Sequence, residues 1–404
     1  MNRFIGSYTV ATEIKGLVVK IAQRCNLNCS YCYMYQHADQ SWRQRPPFMS
    51  EETFGHLLAR IEEYCDRRPG REMNMTFHGG EPMLIGPRQF DRLVSMAVEK
   101  LKDRVSVQMQ SNGTLVNDEW IEVLKRHNLK VGVSLDGPPE LHDIARVDHA
   151  GRGSYSQTVQ GLRKLQENGV FSCVLTVINP GQSGLEIYRH IRSLGVNNMN
   201  FLLPDVTHDS RRLFYPDFGT TPISDYLIPI FDAWFDEDDP NVAIRLFNAI
   251  LSYLMGGSAS LEAIGNHCEN YLVIDTDGNI QANDALKVCD DGISESGLNV
   301  ARHGFDDLHL GLPLVNRLVH EGLSLSAQCQ ACPERDVCGG GAVTTRYAKA
   351  NGFDNPSVWC ADMLELIGHI RARVRPALGE QAFPETVCQA EMDLPIPAAA
   401  TARF

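Results

Sequence analysis

The sequence predicts an α/β protein, a partial TIM-like (β/α)6 barrel followed by a small cysteine-rich domain. Three observations carry this expectation. Short apolar, β-branched runs alternate with amphipathic helical patterns through the first half of the chain, as in a parallel sheet wrapped by helices. Residue types that do chemistry fall just after those runs, where such sheets place their active sites. Cysteines then crowd a glycine-rich stretch in the last third.

Strands are expected at 16–23, 73–78, 105–110, 130–135, 172–178 and 198–203, and helices at 50–64, 89–100, 118–127, 156–167 and 185–194. Cys25 follows the first strand, Gly79, Gly80 and Glu81 the second, Ser111 and Asn112 the third, and Asp136 the fourth. Six such units leave a barrel open on one side. Alternation stops after Pro204, and 222–256 reads as helical from the spacing of its apolar residues. A hairpin at 271–280 is expected to turn on Asp277 and Gly278. The expected organisation is a barrel over 1–220, a helical bridge over 221–266, a cysteine-rich domain over 267–380 held by metal rather than a large core, and a loose tail over 381–404. No internal repeat is visible.

The balance of 37 basic and 50 acidic residues gives a net charge of −13, which disfavours a nucleic-acid partner. No apolar run is long enough to span a bilayer, and the first residues lack the apolar segment of a signal peptide. A cytoplasmic protein is therefore expected. Disulfides are rare there, so twelve cysteines need another use. Three fall at Cys25, Cys29 and Cys32, and four at Cys329, Cys332, Cys338 and Cys360. Cys65, Cys173 and Cys388 stand alone and read as packing residues.

Three thiolates on one loop can ligate three irons of a cubane and leave the fourth open. An open metal position suits catalysis, whereas a structural site closes its shell. The alternative is a zinc loop that borrows a fourth ligand. With Tyr31 before the last cysteine, the loop resembles that of the radical S-adenosylmethionine (SAM) superfamily, and the likeness extends over the first half of the chain. It implies a SAM-binding [4Fe–4S] cluster on Cys25, Cys29 and Cys32. Phe77 to Pro82, with Gly79, Gly80 and Glu81, is similar to the element that holds the SAM amino group. Ser111, Asn112, Ser134 and Arg146 match further SAM-contacting positions, and Leu202 or Leu203 falls where the family packs adenine.

Cys329, Cys332, Cys338 and Cys360 resemble the SPASM extension of peptide-modifying members, which implies an auxiliary [4Fe–4S] cluster. A four-cysteine zinc site is the alternative. A second auxiliary cluster is left open. Asn283 and Ala342 stand where the family has cysteines, leaving Cys268 and Cys289, with His267, Asp284 or Asp290 as conceivable donors. Asp284 matches an aspartate that accepts a substrate proton in sulfatase-maturing members; otherwise it orders the turn by hydrogen bonding.

The resemblance implies a 5′-deoxyadenosyl radical that abstracts hydrogen from a peptide, with electrons from a flavodoxin or ferredoxin. The segments 33–46, 284–287, 296–300 and 351–360 are similar to maturases that join an aromatic carbon to a β-carbon in ribosomally made precursor peptides. The expectation is thus a cyclophane crosslink. Thioether or ether formation, sulfatase formylglycine formation, and a zinc-stabilised peptide-binding scaffold are the rivals. With the first strand near Gly16, no separate leader-binding domain is expected ahead of the barrel.

Overall fold

The structure, a computed structural model, describes residues 13–216, 219–259, 261–265 and 270–378. The expected ligand Cys268, its neighbour His267 and the expected tail fall outside the described residues.

Six parallel strands form the barrel wall: β1 (Gly16–Ala22), β2 (Met73–Gly79), β3 (Val105–Ser111), β4 (Lys130–Ser134), β5 (Phe171–Val177) and β6 (Asn198–Leu202). Helices α1 (Glu51–Asp66), α2 (Pro87–Leu101), α3 (Asp118–Arg126), α4 (Pro139–Ala145), α5 (Tyr155–Glu167) and α6 (Gly184–Ser193) lie in the connections. Caps set several of their starts. Ser50 accepts from Thr53 N ahead of α1, Asn117 from Trp120 N ahead of α3, and Ser183 from Glu186 N ahead of α6. The apolar stripes those helices carry, such as Phe54, Leu57, Leu58 and Ile61 on α1, are buried. The expected alternation is present, and α4 is an addition that the sequence pattern did not reveal.

After β6 come α7 (Arg211–Phe214), α8 (Pro222–Glu237), the two-residue β7 (Ala243–Ile244) and α9 (Arg245–Leu254). The stretch expected to be helical holds two helices, with the unforeseen β7 pairing parallel to β6 between them. On the other edge β8 (Tyr271–Ile274) pairs parallel with β1, and β9 (Ile280–Gln281) pairs antiparallel with β8. The hairpin turns as expected, with Gly278 at φ +84°. The sheet therefore runs β7-β6-β5-β4-β3-β2-β1-β8-β9.

That continuation was not legible beforehand. It fastens the cysteine-rich region to the barrel beside the first cysteine loop. One buried apolar cluster runs through both regions, from Ile14 and Val19 to Phe305, Leu318 and Trp359. The long helix Cys360–Leu378 closes the structure against α8.

Candidate active site

The C-terminal ends of the barrel strands open on a cavity of about 210 Å³. Strand register brings its floor together: Lys20 of β1 stands opposite His78 of β2, and Val177 of β5 opposite Leu202 of β6. Gln110 of β3 donates to Ser134 Oγ of β4 at 3.0 Å.

Cys25, Cys29 and Cys32 all line this cavity and are half-buried. Burial pushes the Cys25 thiol up, with Glu81 and the other two thiols adding to it. Burial and Cys29 push Cys32 up to about 12. Burial also raises Cys29, against the pull of the Arg146 guanidinium. Buried thiols that resist ionisation need a cation to become thiolates, and cluster iron supplies one. The three residues therefore fit an iron–sulfur cluster. Among the described residues, no three His, Cys, Asp or Glu side chains converge as the shell of a single metal ion.

Every position expected to touch SAM lines this cavity. Gly79 and Gly80 serve packing as much as access. A Cβ on Gly79 would sit 2.0 Å from Ala22 O, and one on Gly80 2.4 Å from Arg24 O. Only glycine lets the cysteine loop press against β2, where Gly80 N and Glu81 N donate to Ala22 O and Arg24 O at 2.8 and 2.9 Å. Glu81 is buried, which pushes it up to about 7 although Asn112 N, Met83 N and Ser111 Oγ all donate to it. Asn112 Nδ2 donates to Asn26 Oδ1 at 2.9 Å and approaches Cys25 Sγ at 3.8 Å. Leu202 and Leu203 complete the far wall.

Asp136, expected only as a residue at the end of the fourth strand, ties this arrangement together. Its Oδ2 accepts from Tyr31 OH at 2.5 Å and from Arg146 Nε at 2.8 Å. Its Oδ1 accepts from Val177 N at 3.0 Å. Burial disfavours the Arg146 cation, but Asp136 and the other negative partners outweigh it and hold Arg146 charged. One buried carboxylate thus fixes the tyrosine of the cysteine loop and the expected SAM arginine.

Asp284 sits beside the cavity rather than on its wall. Its Oδ2 pairs with Lys20 Nζ at 2.5 Å and accepts from Tyr33 OH at 2.7 Å. Burial works against ionisation, but the Lys20 and Lys287 ammonium groups overcome it and hold Asp284 well below the usual carboxylate range. Lys20 is fully buried. A lone charge in the apolar strand GLVVKIA was a signal that sequence reading passed over. Asp205, past the end of β6, was missed as well and does line the cavity. Nothing local in the sequence marks it.

Away from the cavity, Cys329, Cys332, Cys338 and Cys360 are mutual neighbours; the last two are pushed up to about 12 and about 11, first by burial and then by the other thiols. Gly339, Gly340 and Gly341, all at positive φ, let the chain reverse directly after Cys338. Arg346 is buried in the field of Cys329 and Cys338, with its Nε lacking a partner among the described residues. A buried N–H waiting beside two of these thiols fits the sulfides of an iron–sulfur cluster. Cys289 stands apart. It is buried, its thiol faces Thr344 O at 4.0 Å, and burial followed by Asp205 and Asp290 raises it, with no described thiol among those neighbours.

An open parallel barrel with three clustered thiols among its strand ends is the framework of radical SAM chemistry, and residues 19–194 match the radical SAM superfamily. Those residues form a radical SAM domain, and the chain is an enzyme that works with SAM and [4Fe–4S] clusters. It is 25% identical over 407 residues to the serine-type anaerobic sulfatase-maturating enzyme of Bacteroides thetaiotaomicron, covering 93% of this chain and 95% of that one. Native anSMEcpe with bound AdoMet and Cp18Cys peptide superposes with a TM-score of 0.76 at 20% identity, over 91% of this chain and 98% of that one. Streptococcus suis SuiB bound to precursor peptide SuiA gives 0.59 at 15% identity, over 86% and 76%. No helix among the described residues is long and apolar enough to cross a membrane.

Proposed function

We propose that this chain installs a cyclophane crosslink, aromatic carbon to β-carbon, in a ribosomally made precursor peptide. The observation that carries the reading is how the cyclophane-like segments meet beside the cavity. Tyr33 reaches Asp284, Asp39 N donates to Lys287 O at 3.2 Å and Asp39 Oδ2 accepts from Gly292 N at 2.9 Å. Arg45 bridges Asp275 and Glu295, and Asn299 Nδ2 donates to Asp277 O at 2.9 Å. Segments 33–46 and 284–287 thus interlock, and 296–300 joins them through the hairpin turn at Asp277, which Arg45 also reaches.

Cys25, Cys29 and Cys32 would hold the cluster that carries SAM, and Gly79, Gly80, Glu81, Ser111, Asn112, Ser134, Arg146, Tyr31 and Leu202 would seat SAM. Cys329, Cys332, Cys338 and Cys360 would hold the auxiliary cluster. Once bound, these groups supply a carbon radical able to remove an unactivated hydrogen atom. The chain itself orients the peptide over the cavity, keeps water from its floor, and takes up the proton that the arene loses through a carboxylate beside the cavity, for which Asp284 is the candidate from resemblance. A flavodoxin or ferredoxin would deliver electrons, in the cytoplasm. The division into barrel, bridge, cysteine-rich domain and tail remains part of this reading, which neither requires nor excludes a second auxiliary cluster on Cys268 and Cys289.

A second reading follows from the sulfatase-maturating relatives: oxidation of a sulfatase serine or cysteine to formylglycine. The test is an anaerobic assay of the reconstituted enzyme with the peptide encoded beside its gene and, separately, with a sulfatase-derived peptide. Loss of two hydrogens from the precursor, with tandem fragments missing between two residues, supports the crosslink. Formylglycine in the sulfatase peptide and an unaltered precursor would replace it with the second reading.

A further inference from the structure

Two carboxylates flank the cavity, and their surroundings differ. Asp284 is already engaged: Lys20 and Tyr33 both occupy its Oδ2, and Tyr33, not Asp284, forms the wall there. Asp205 is on the wall itself. Among the described residues its hydrogen-bond partner is Thr344, whose Oγ1 donates to Oδ1 at 3.0 Å, and no cation stands within ion-pair distance. The groups that face it are acidic or neutral: Glu262 and Asp284, the phenols of Tyr33 and Tyr215, and Cys289.

We infer that Asp205, and not Asp284, receives the proton that the substrate loses as its crosslink closes; this rests on the dehydrogenative reading above. One C–H bond of the peptide is broken as a hydrogen atom, and a carbon–carbon bond forms. The ring carbon then sheds its hydrogen as a proton to the Asp205 carboxylate, while the remaining electron passes to an iron–sulfur acceptor. The peptide ends two hydrogens lighter, and Asp205 ends as a neutral acid that returns its proton to solvent. Proton affinity supports the choice. Burial pushes Asp205 up to about 7, with Thr344 opposing and Glu262 and Asp284 adding to the rise, which matches a base working near neutral pH. Asp284, held ionised by two ammonium groups, has little affinity for a proton.

The experiment measures crosslinked peptide formed per 5′-deoxyadenosine released, across pH, for the reconstituted enzyme and the peptide encoded beside its gene. Wild type should lose this ratio as pH falls through about 7, where Asp205 takes up a proton in advance. Asp205→Asn should lower the ratio at least tenfold and abolish its pH dependence. Thr344→Val removes the donor that favours the carboxylate, so it should move the limb to higher pH. Asp284→Asn takes away one of the charges that raise Asp205, so it should keep the limb and move it to lower pH. An Asp205→Asn enzyme that keeps the wild-type limb, or an Asp284→Asn enzyme that loses it, would overturn the assignment. A wild-type product that has not lost two hydrogens overturns the crosslinking reading itself, and the two failures are told apart by product mass.

Discussion

The two cysteine fields are built in opposite ways. Cys25, Cys29 and Cys32 stand on one loop after β1, half-exposed on a cavity wall, and each thiol sits among residues from other strand ends. Cys329 and Cys338 come from two short helical turns, Cys332 from the loop between them and Cys360 from the start of a long helix, and none of them lines that cavity. A field of three leaves a metal corner free for a substrate, whereas a field of four can close its shell and serve only electrons. On the proposed reading, that difference divides chemistry from electron traffic in this chain.

The largest expected effect comes from breaking the open field. Cys25→Ala, Cys29→Ala or Cys32→Ala should bring 5′-deoxyadenosine formation below detection, because no other described side chain stands ready to replace a lost thiolate. Residual cleavage at the wild-type rate would remove that loop from the role. Breaking the closed field should do something different. Cys329→Ala or Cys360→Ala should leave SAM cleavage running but lower crosslinked product per 5′-deoxyadenosine by roughly tenfold or more, about 1.4 kcal/mol per decade. Equal losses of cleavage and product in both sets would erase the distinction between the fields.

Much of this contrast was legible in the sequence, for a physical reason. Strands buried on both sides read as apolar runs, and the loops after them carry residues that make no sense as packing, so Cys25, Gly80 and Asn112 declared themselves locally. What stayed hidden depends on contacts far apart in the chain. Tyr31 meets Asp136 across 105 positions and Tyr33 meets Asp284 across 251, and no local pattern encodes such pairs. The pairing of β8 with β1 is of the same kind. Asp205 is harder still, since a carboxylate after a strand looks the same whether it faces solvent or a cavity.

The frame around the open field offers a smaller effect. Asp136→Asn would leave the buried Arg146 without its carboxylate and Tyr31 without its acceptor. A buried cation stripped of its partner is costly, so Arg146 should lose its fixed position. SAM affinity, followed by equilibrium binding to the cluster-loaded enzyme, should weaken by roughly tenfold, about 1.4 kcal/mol, while the iron held by the four-cysteine field stays in place. Unchanged SAM binding would mean that Tyr31 and Arg146 are held by the loop itself.

The smallest effect concerns how the closed field is seated. Cys360 begins the long helix, and two residues later Asp362 Oδ1 accepts from Ile223 N at 2.6 Å and Ser224 N at 3.2 Å, capping α8 from outside. Burial pushes Asp362 up to about 6, against the two backbone donors. Its folded-state pKa lies above the unfolded one, so its contribution is fully present below about pH 4 and is lost as pH rises through about 6. Asp362→Asn keeps the cap's shape and cannot ionise. Its thermal unfolding midpoint should therefore lose the part of the wild-type pH dependence between about 4 and 6, while Asp362→Ala should cost roughly 1–2 kcal/mol below about pH 4 and less as pH rises through about 6. If Asp362→Ala unfolds like wild type, the long helix is held by its apolar face alone, and the fourth thiol of the closed field owes its place to packing rather than to this cap.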